Sequence, residues 1–389
     1  MDMNMTNIYN FIDSQEEQAM KLWENLVRIE SWSQDVGRVN QVAAHLDTYF
    51  SAMGLNTRKY IFENAGSSLA AFNRPAKLPG IALLAHMDTV HKPGSFGDDL
   101  FRRDGEYVYG PGAYDCKGGI AIAVLVMKAL MAFGYDKRQL KLILSGDEEV
   151  AHSLSGGKGI DVYTEEIAGC AAAFNCESGL LNGDVVTRRK GGGIFKIQIH
   201  GVSAHSGRNP QDGANAIREA ASKIMAIEAL TDYEGTTFNC GRIQGGTSAN
   251  VVPDYCEFLV SIRFQTNADC DEAIKKLQQI CDHNEDSRIS SEMSVTAMFR
   301  AMEYTPKTDQ LFDIYRKACE SLGYPAPAAI YSGGCSDSAY IAMEGIPVLC
   351  GVGVRGSDNH SPKERAVAAS ICEQAKKIVT AILMLDDDF

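Results

Sequence analysis

The sequence predicts an α/β domain, with helices packed around a largely parallel sheet, interrupted by an inserted α+β domain of ferredoxin-like texture. Three observations carry this reading. Short apolar runs alternate with helical stretches over residues 80 to 175. A βαββαβ-like texture replaces that alternation near residue 190, and the alternation resumes after Met302.

Taken in order, the first fifty residues carry helical apolar spacing at Leu22, Trp23, Leu26 and Val27, then at Val42 and Leu46. The runs "IALLA" (81–85), "LKLILS" (140–145) and "AAAFN" (171–175) read as buried strands, with a helix over 116–133 between the first two. Near residue 190 the stretch "FKIQIHGVSAH" alternates, and a helix follows over 213–230. The strand "CEFLVSIRF" (256–264), a helix over 269–283 and the strand "SVTAMF" complete the inserted unit. "IPVLCGVGV" and a last helix over 365–385 close the chain. The expected domains are a catalytic domain in two parts, 1–189 and 302–389, and an insertion over 190–301.

Composition limits what such a protein does. The 389 residues are 45% hydrophobic and 22% charged, enough to bury a large core. Net charge is −13 with no extended basic block, which argues against nucleic acid and anionic membranes as partners. Eleven cysteines without CxxC pairs suggest free thiols in a reducing compartment. The start, "MDMNMTNIYN", lacks the basic and apolar segments of a signal peptide, and the most apolar stretch (120–133) is too short to span a bilayer. A cytoplasmic protein is the expectation.

In open α/β sheets, functional groups collect beyond the carboxyl ends of the strands. Here several predicted strands end in groups that bind metals: His86 and Asp88 in "IALLAHMDTV", Glu148 and Glu149 in "LILSGDEEV", and Glu177 in "AAAFNCESG". Asp115 stands in the Gly-rich loop "YGPGAYDCKGG" before a helix, and His360 in the polar loop "GSDNHSPKE". Singly, each has an ordinary explanation as a structural histidine, a helix N-cap or a solvated turn. Five such sites in one chain, offering a set of two histidines and three carboxylates without cysteine at ligand spacing, suit a hydrolytic zinc centre with open positions. One carboxylate can bridge two ions.

The motifs "HMDTV", "GPGAYDCKGG", "DEEV", "HSGRNPQDGANAI" and "SGGCSDSAYIA" occur in an order that resembles the dizinc peptidase and deacylase family. That family includes bacterial glutamate carboxypeptidase, succinyl-diaminopimelate desuccinylase, acetylornithine deacetylase and aminoacylase; the likeness is greatest to the glutamate carboxypeptidase branch. The resemblance implies a zinc-peptidase-like α/β/α domain and an inserted dimerisation domain. It implies two zinc ions per subunit, with cobalt or manganese as substitutes. Asp115 would bridge them, His86 and Glu177 completing one site, Glu149 and His360 the other. It further implies a cis peptide bond between Asp115 and Cys116.

By the same resemblance Glu148 is the proton-transferring base, Asp88 orients His86, and His205 stabilises the oxyanion. Asn250, Arg263, Arg300 and the loop glycines Gly333 and Gly334 would lie near the substrate, with Arg300 on its carboxylate. The implied protein is a homodimer in which His205 serves the neighbouring site, and the strand "CEFLVSIRF" could pair across the two-fold axis.

The expected activity is hydrolysis of an amide bond next to a free α-carboxylate, on a small peptide or an N-acyl amino acid. A deacylase of the acetylornithine or desuccinylase type shares every ligand and is the alternative; a metal-binding homologue without catalysis is a further one. "GGKG" (156–159) lacks phosphate-loop spacing, and no GxSxG elbow marks a serine hydrolase.

Overall fold

A computed structural model of the chain describes residues 4–389, so the first three residues of the start read above lie outside it. The chain divides into two compact units. The first runs to Arg188 and continues over Tyr304–Tyr331 and Tyr340–Phe389; the second comprises Arg189–Glu303 and Ser332–Ala339.

The first unit is built on an eight-stranded sheet. At its centre Arg138–Ser145, Leu78–His86, Cys170–Asn175 and Val348–Cys350 lie side by side and parallel. These strands are almost wholly buried, which is why they read as continuous apolar runs. The largely parallel expectation fails toward the edges. Asn56–Tyr60 and Ser68–Phe72 form an antiparallel pair, Ser68–Phe72 also joins Arg138–Ser145 antiparallel, and Val185–Arg189 joins Val348–Cys350 the same way. Connection length accounts for the first pair, which a short link returns antiparallel; the other two join strands far apart in sequence, which no local link constrains.

The helix Gly118–Ala132 is buried on nearly every side, as its uniformly apolar sequence demands. It packs against Glu16–Val27 and Ser370–Met384. Each Ile, Leu, Val or Met side chain fully withdrawn there contributes about 1.5–3 kcal/mol. Two expected boundaries move. Residues 113–117 form one wide turn, in which Asp115 and Cys116 depart from helical angles, and the regular helix begins at Gly118. The last helix begins at Ser370, because Arg365–Val367 is a short strand paired with Tyr107–Tyr109. That pairing joins residues far apart in sequence, and local periodicity cannot register it.

The second unit is a four-stranded antiparallel sheet in the order Thr237–Gly245, Tyr255–Phe264, Gly191–His200, Ser290–Phe299. Alternate residues of the two central strands, among them Phe195, Ile197, Phe258 and Val260, form a separate core with Ala220, Ile227 and Leu277 of the helices Ala216–Glu228 and Asn267–Asp282. Thr237–Gly245 escapes sequence reading because it is an edge strand, mostly exposed and kinked at Cys240/Arg242, so no alternation marks it. The expectation that "CEFLVSIRF" pairs across a two-fold axis is overturned. Its backbone is already paired on both sides, which leaves Thr237–Gly245 and Ser290–Phe299 as the outer strands. Among the described residues no helix is long and apolar enough to cross a membrane.

Candidate active site

Strand register assembles the site in the first unit. His86 lies opposite Ser145, and Leu84 opposite Asn175, so three parallel strands end at nearly one level. Just beyond those ends stand Asp88, the Asp147–Glu149 turn and Glu177. The fourth parallel strand ends at Cys350, opposite Asn175, and leads on to His360.

Asp115 is the centre of this arrangement. Its Oδ1 lies 3.1 Å from His86 Nε2, and its Oδ2 lies 3.4 Å from His360 Nε2. Glu177 stands on the His86 side, at 3.6 Å from Nε2, and Glu149 on the His360 side, at 3.2 Å from its Nε2. The five groups therefore divide into two sets that share one carboxylate.

Local sequence explains how Asp115 reaches that place. Trp23 is fully buried, and its indole Nε1 donates to the carbonyl of Ala113 at 3.0 Å, pinning the chain just before the aspartate. Gly112 adopts a positive φ of 74°, and a Cβ there would meet Thr89 at 2.5 Å. Gly119 passes so close to the strand end of Glu177 that a Cβ would lie 1.9 Å from the carbonyl of Cys176. The peptide bond between Asp115 and Cys116 is cis.

Asp88 has more contacts than orienting a ring requires. His86 Nδ1 lies 3.0 Å from the backbone carbonyl of Asp88 and 3.5 Å from its carboxylate. The carboxylate itself accepts from Ser33 Oγ at 2.8 Å and from the backbone N–H groups of Glu148 and Glu149 at 3.2 and 3.1 Å. It therefore holds the turn that carries both glutamates. Burial pushes this carboxyl up, but those donors and His86 outweigh it and keep Asp88 below the ordinary carboxylate range. Ser33 gave no signal in the sequence, being one serine among many.

The electrostatics follow from crowding. Burial, with the neighbouring Asp115 carboxylate, pushes Glu149 up to about 7. Hydrogen bonds to Asp115 and Glu149 raise His360 to about 10. Asp115 stays well below the usual range, because its bonds to His360 and His86 overcome its burial. A second donor, Asn359 Nδ2, reaches Asp115 Oδ2 at 3.0 Å and was not foreseen.

The residues fit a metal pair on two grounds. Glu149 Oε1 is buried and has no hydrogen-bond partner, a cost that an ion would remove. The donor set is nitrogen and oxygen only at the Asp115 centre, with three acids whose mutual repulsion divalent cations offset. His86, Asp115 and Glu149 lie close enough to hold one ion, and His86, Cys116 and Glu177 form an overlapping group. Cys116 is fully buried, and burial pushes its thiol up to about 12.

The sequence profile of Peptidase family M20/M25/M40 matches residues 82–384. The chain belongs to this family. Carboxypeptidase G2 of Pseudomonas sp. (strain RS-16) is 26% identical over 379 residues, covering 94% of this chain and 88% of that one. A succinyl-diaminopimelate desuccinylase of Corynebacterium glutamicum is 31% identical over 265 residues, 65% of this chain and 68% of the relative. The fold matches that of an M20 family metallo-carboxypeptidase from Sulfolobus solfataricus with a TM-score of 0.76 at 16% identity, covering 94% of this chain and 98% of that one. The M20 fold is thus the one expected from sequence, and the protein is a hydrolase of the metallopeptidase and deacylase type. The reading as a metal-binding homologue without catalysis is set aside.

The remaining residues that the sequence suggested for the site belong to the second unit. His205 and Asn250 are neighbours: Ala204–His205 pairs with Val251–Val252, and Ser206 N–H donates to the carbonyl of Asn250 at 3.0 Å. His205 is exposed, and its Nδ1 accepts from the backbone N–H groups of Gly207 and Arg208 at 3.1 and 3.2 Å. Arg263 reaches the carbonyl of Ile262 at 3.1 Å and runs so close over Gly192 that a Cβ there would sit 2.0 Å from its Nη1. Arg300 pairs with Asp271 at 2.7 Å. In the Gly333–Gly334 loop, Arg189 donates to the carbonyls of Gly334 and Cys335 at 3.1 and 3.3 Å. Arg189 was missed because an arginine at a strand end has no distinguishing pattern.

Proposed function

We propose that this M20 hydrolase holds two divalent ions, zinc first and cobalt or manganese as substitutes, and cleaves an amide bond next to a free α-carboxylate in a small peptide or N-acyl amino acid. The observation that carries the reading is the division of Asp115, with Oδ1 toward His86 and Oδ2 toward His360. His86, Asp115 and Glu177 would hold one ion; Asp115, Glu149 and His360 the other. When bound, the pair supplies Lewis acidity and an activated water.

The chain's own groups do the rest. Glu148, buried beside the ligands and anchored through its backbone to Asp88, takes the proton of the attacking water and passes it to the leaving amine. His205 is the oxyanion donor. Because its Nδ1 accepts two N–H groups, the neutral ring carries its proton on Nε2, which leaves that edge as the donor. Asn250, Arg263, Gly333 and Gly334 line the substrate, and Arg300 takes its carboxylate. The protein acts as a homodimer in which His205 of the partner subunit completes each site. Exposed Ile217, Met225 and Ile243, on the helix Ala216–Glu228 and the outer strand Thr237–Gly245, support an apolar contact there. The eleven free cysteines support a cytoplasmic location.

The desuccinylase relative favours a second reading, in which the scissile bond belongs to an N-acyl group on a diamino acid. Metal-loaded protein offered dipeptides, N-acyl glutamates and N-succinyl diamino acids, each with a chelator control, separates the two. Elemental analysis after zinc loading should find two ions per chain, and Asp115→Asn should weaken both together. A single tightly held ion in the wild type would sink the shared-carboxylate reading.

A further inference from the structure

Glu364 is fully buried, and neither sequence pattern nor metal chemistry drew attention to it. Its Oε1 accepts from the backbone N–H groups of Tyr114 and Asp115 at 2.8 and 3.0 Å. Its Oε2 lies 2.5 Å from Nε2 of His91. Its own N–H donates to the carbonyl of Ser361 at 3.0 Å, closing the turn that follows His360. One residue thus ties three separate segments: its carboxylate joins the one that follows His86 and Asp88 to the one that carries Asp115, and its backbone lies in the one that carries His360.

His91 is itself held. Its N–H donates to Thr89 Oγ1 at 3.3 Å, and its ring stands edge-on to Phe96 at 4.9 Å between centroids. It is nearly as buried as the acid it meets. A carboxylate that accepts two adjacent backbone N–H groups fixes the direction of the peptide planes between them, and here those planes set where the Asp115 side chain points.

We infer that Glu364, backed by His91, is the positioning residue of the metal pair: it fixes the backbone of Asp115 relative to the His360 loop, so that each oxygen of the shared carboxylate faces its own histidine. The inference rests on the ligand assignment proposed above. Outer partners of metal ligands act in this way, and their loss costs about 10–100-fold in metal affinity. A plain buried acceptor would stabilise the fold with or without metal. A positioning residue acts on the ions.

The test uses the full chain, stripped of metal and reloaded, as wild type, Glu364→Ala, Glu364→Gln and His91→Ala. Three quantities are measured: zinc affinity by competition with a chromogenic chelator, the visible absorption of the cobalt-loaded protein, and the thermal midpoint of the metal-free protein. Glu364→Ala should weaken zinc binding by about 10–100-fold and change the cobalt bands. Glu364→Gln and His91→Ala should do both to a smaller degree while keeping a metal-free midpoint near wild type. If Glu364→Ala does not fold, the other two variants decide. Wild-type zinc affinity and cobalt bands in both of them, or losses no larger than their metal-free destabilisation explains, would overturn the inference. A wild-type chain that binds no zinc pair would instead sink the ligand assignment, and this inference with it.

Discussion

In the first unit Asp115 is 7% exposed and each of its oxygens is within 3.4 Å of a histidine, while Asp88 behind it is fully buried and caps the turn of two glutamates. In the second unit His205 and Asn250 are exposed, and their bonds are to their own strands and turns. The contrast is between two ways of holding polar groups. Buried acids must be satisfied from several directions at once, so the chain turns Ser33, Asn359, His91 and several backbone N–H groups toward Asp88, Asp115 and Glu364. Exposed groups are satisfied by water and need only their local turn.

The largest effect that would sharpen this comparison concerns Glu148. Glu148→Ala should lower kcat by about 10²–10⁴ while metal content stays at the wild-type level, as the proposed proton-transferring role requires. Measured turnover near wild type would remove the buried cluster from the chemistry. Loss of metal along with activity would make Glu148 a ligand.

Next in size is His205. His205→Ala should cost about 10²–10³ in kcat with little change in thermal midpoint, because an exposed ring adds little to the fold. Mixed with Glu148→Ala in equal amounts, random dimers should return about a quarter of all sites to activity, since half are mixed and each of those has one intact site. Mixed dimers with no recovered turnover would place His205 in its own subunit's site or outside catalysis.

Arg300 carries the smallest expected effect. Its bond to Asp271 is exposed on the acid's side, a pairing that water weakens and that a substrate carboxylate can displace. Arg300→Ala should raise KM roughly 10–100-fold for free-acid substrates and leave the corresponding amides nearly unchanged, as a charge-assisted hydrogen bond is worth about 1.5–3 kcal/mol. Equal losses for acid and amide would reduce the arginine to a partner of Asp271.

The sequence by itself determined the strand-end motifs of this protein and the two textures of its chain. A buried parallel strand must be a continuous apolar run, and the first polar residues after it must lie at the sheet's edge, so His86, Glu149 and Glu177 were legible as one cluster before any coordinates. The alternation in Gly191–His200 and Tyr255–Phe264 was legible for a similar reason, since period two follows from one buried face. Only the tertiary structure decided what pairs with what. It turned the outer strands antiparallel, made Arg365–Val367 a strand, and put Tyr255–Phe264 inside its sheet, where it cannot meet a partner. It also recruited Ser33 to Asp88 and Glu364 to the backbone of Asp115, contacts that span 55 and 249 residues of chain. A hydrogen bond between distant residues leaves no period and no spacing in the sequence. Its partners are fixed by where the packed strands end, and that is a property of the folded molecule.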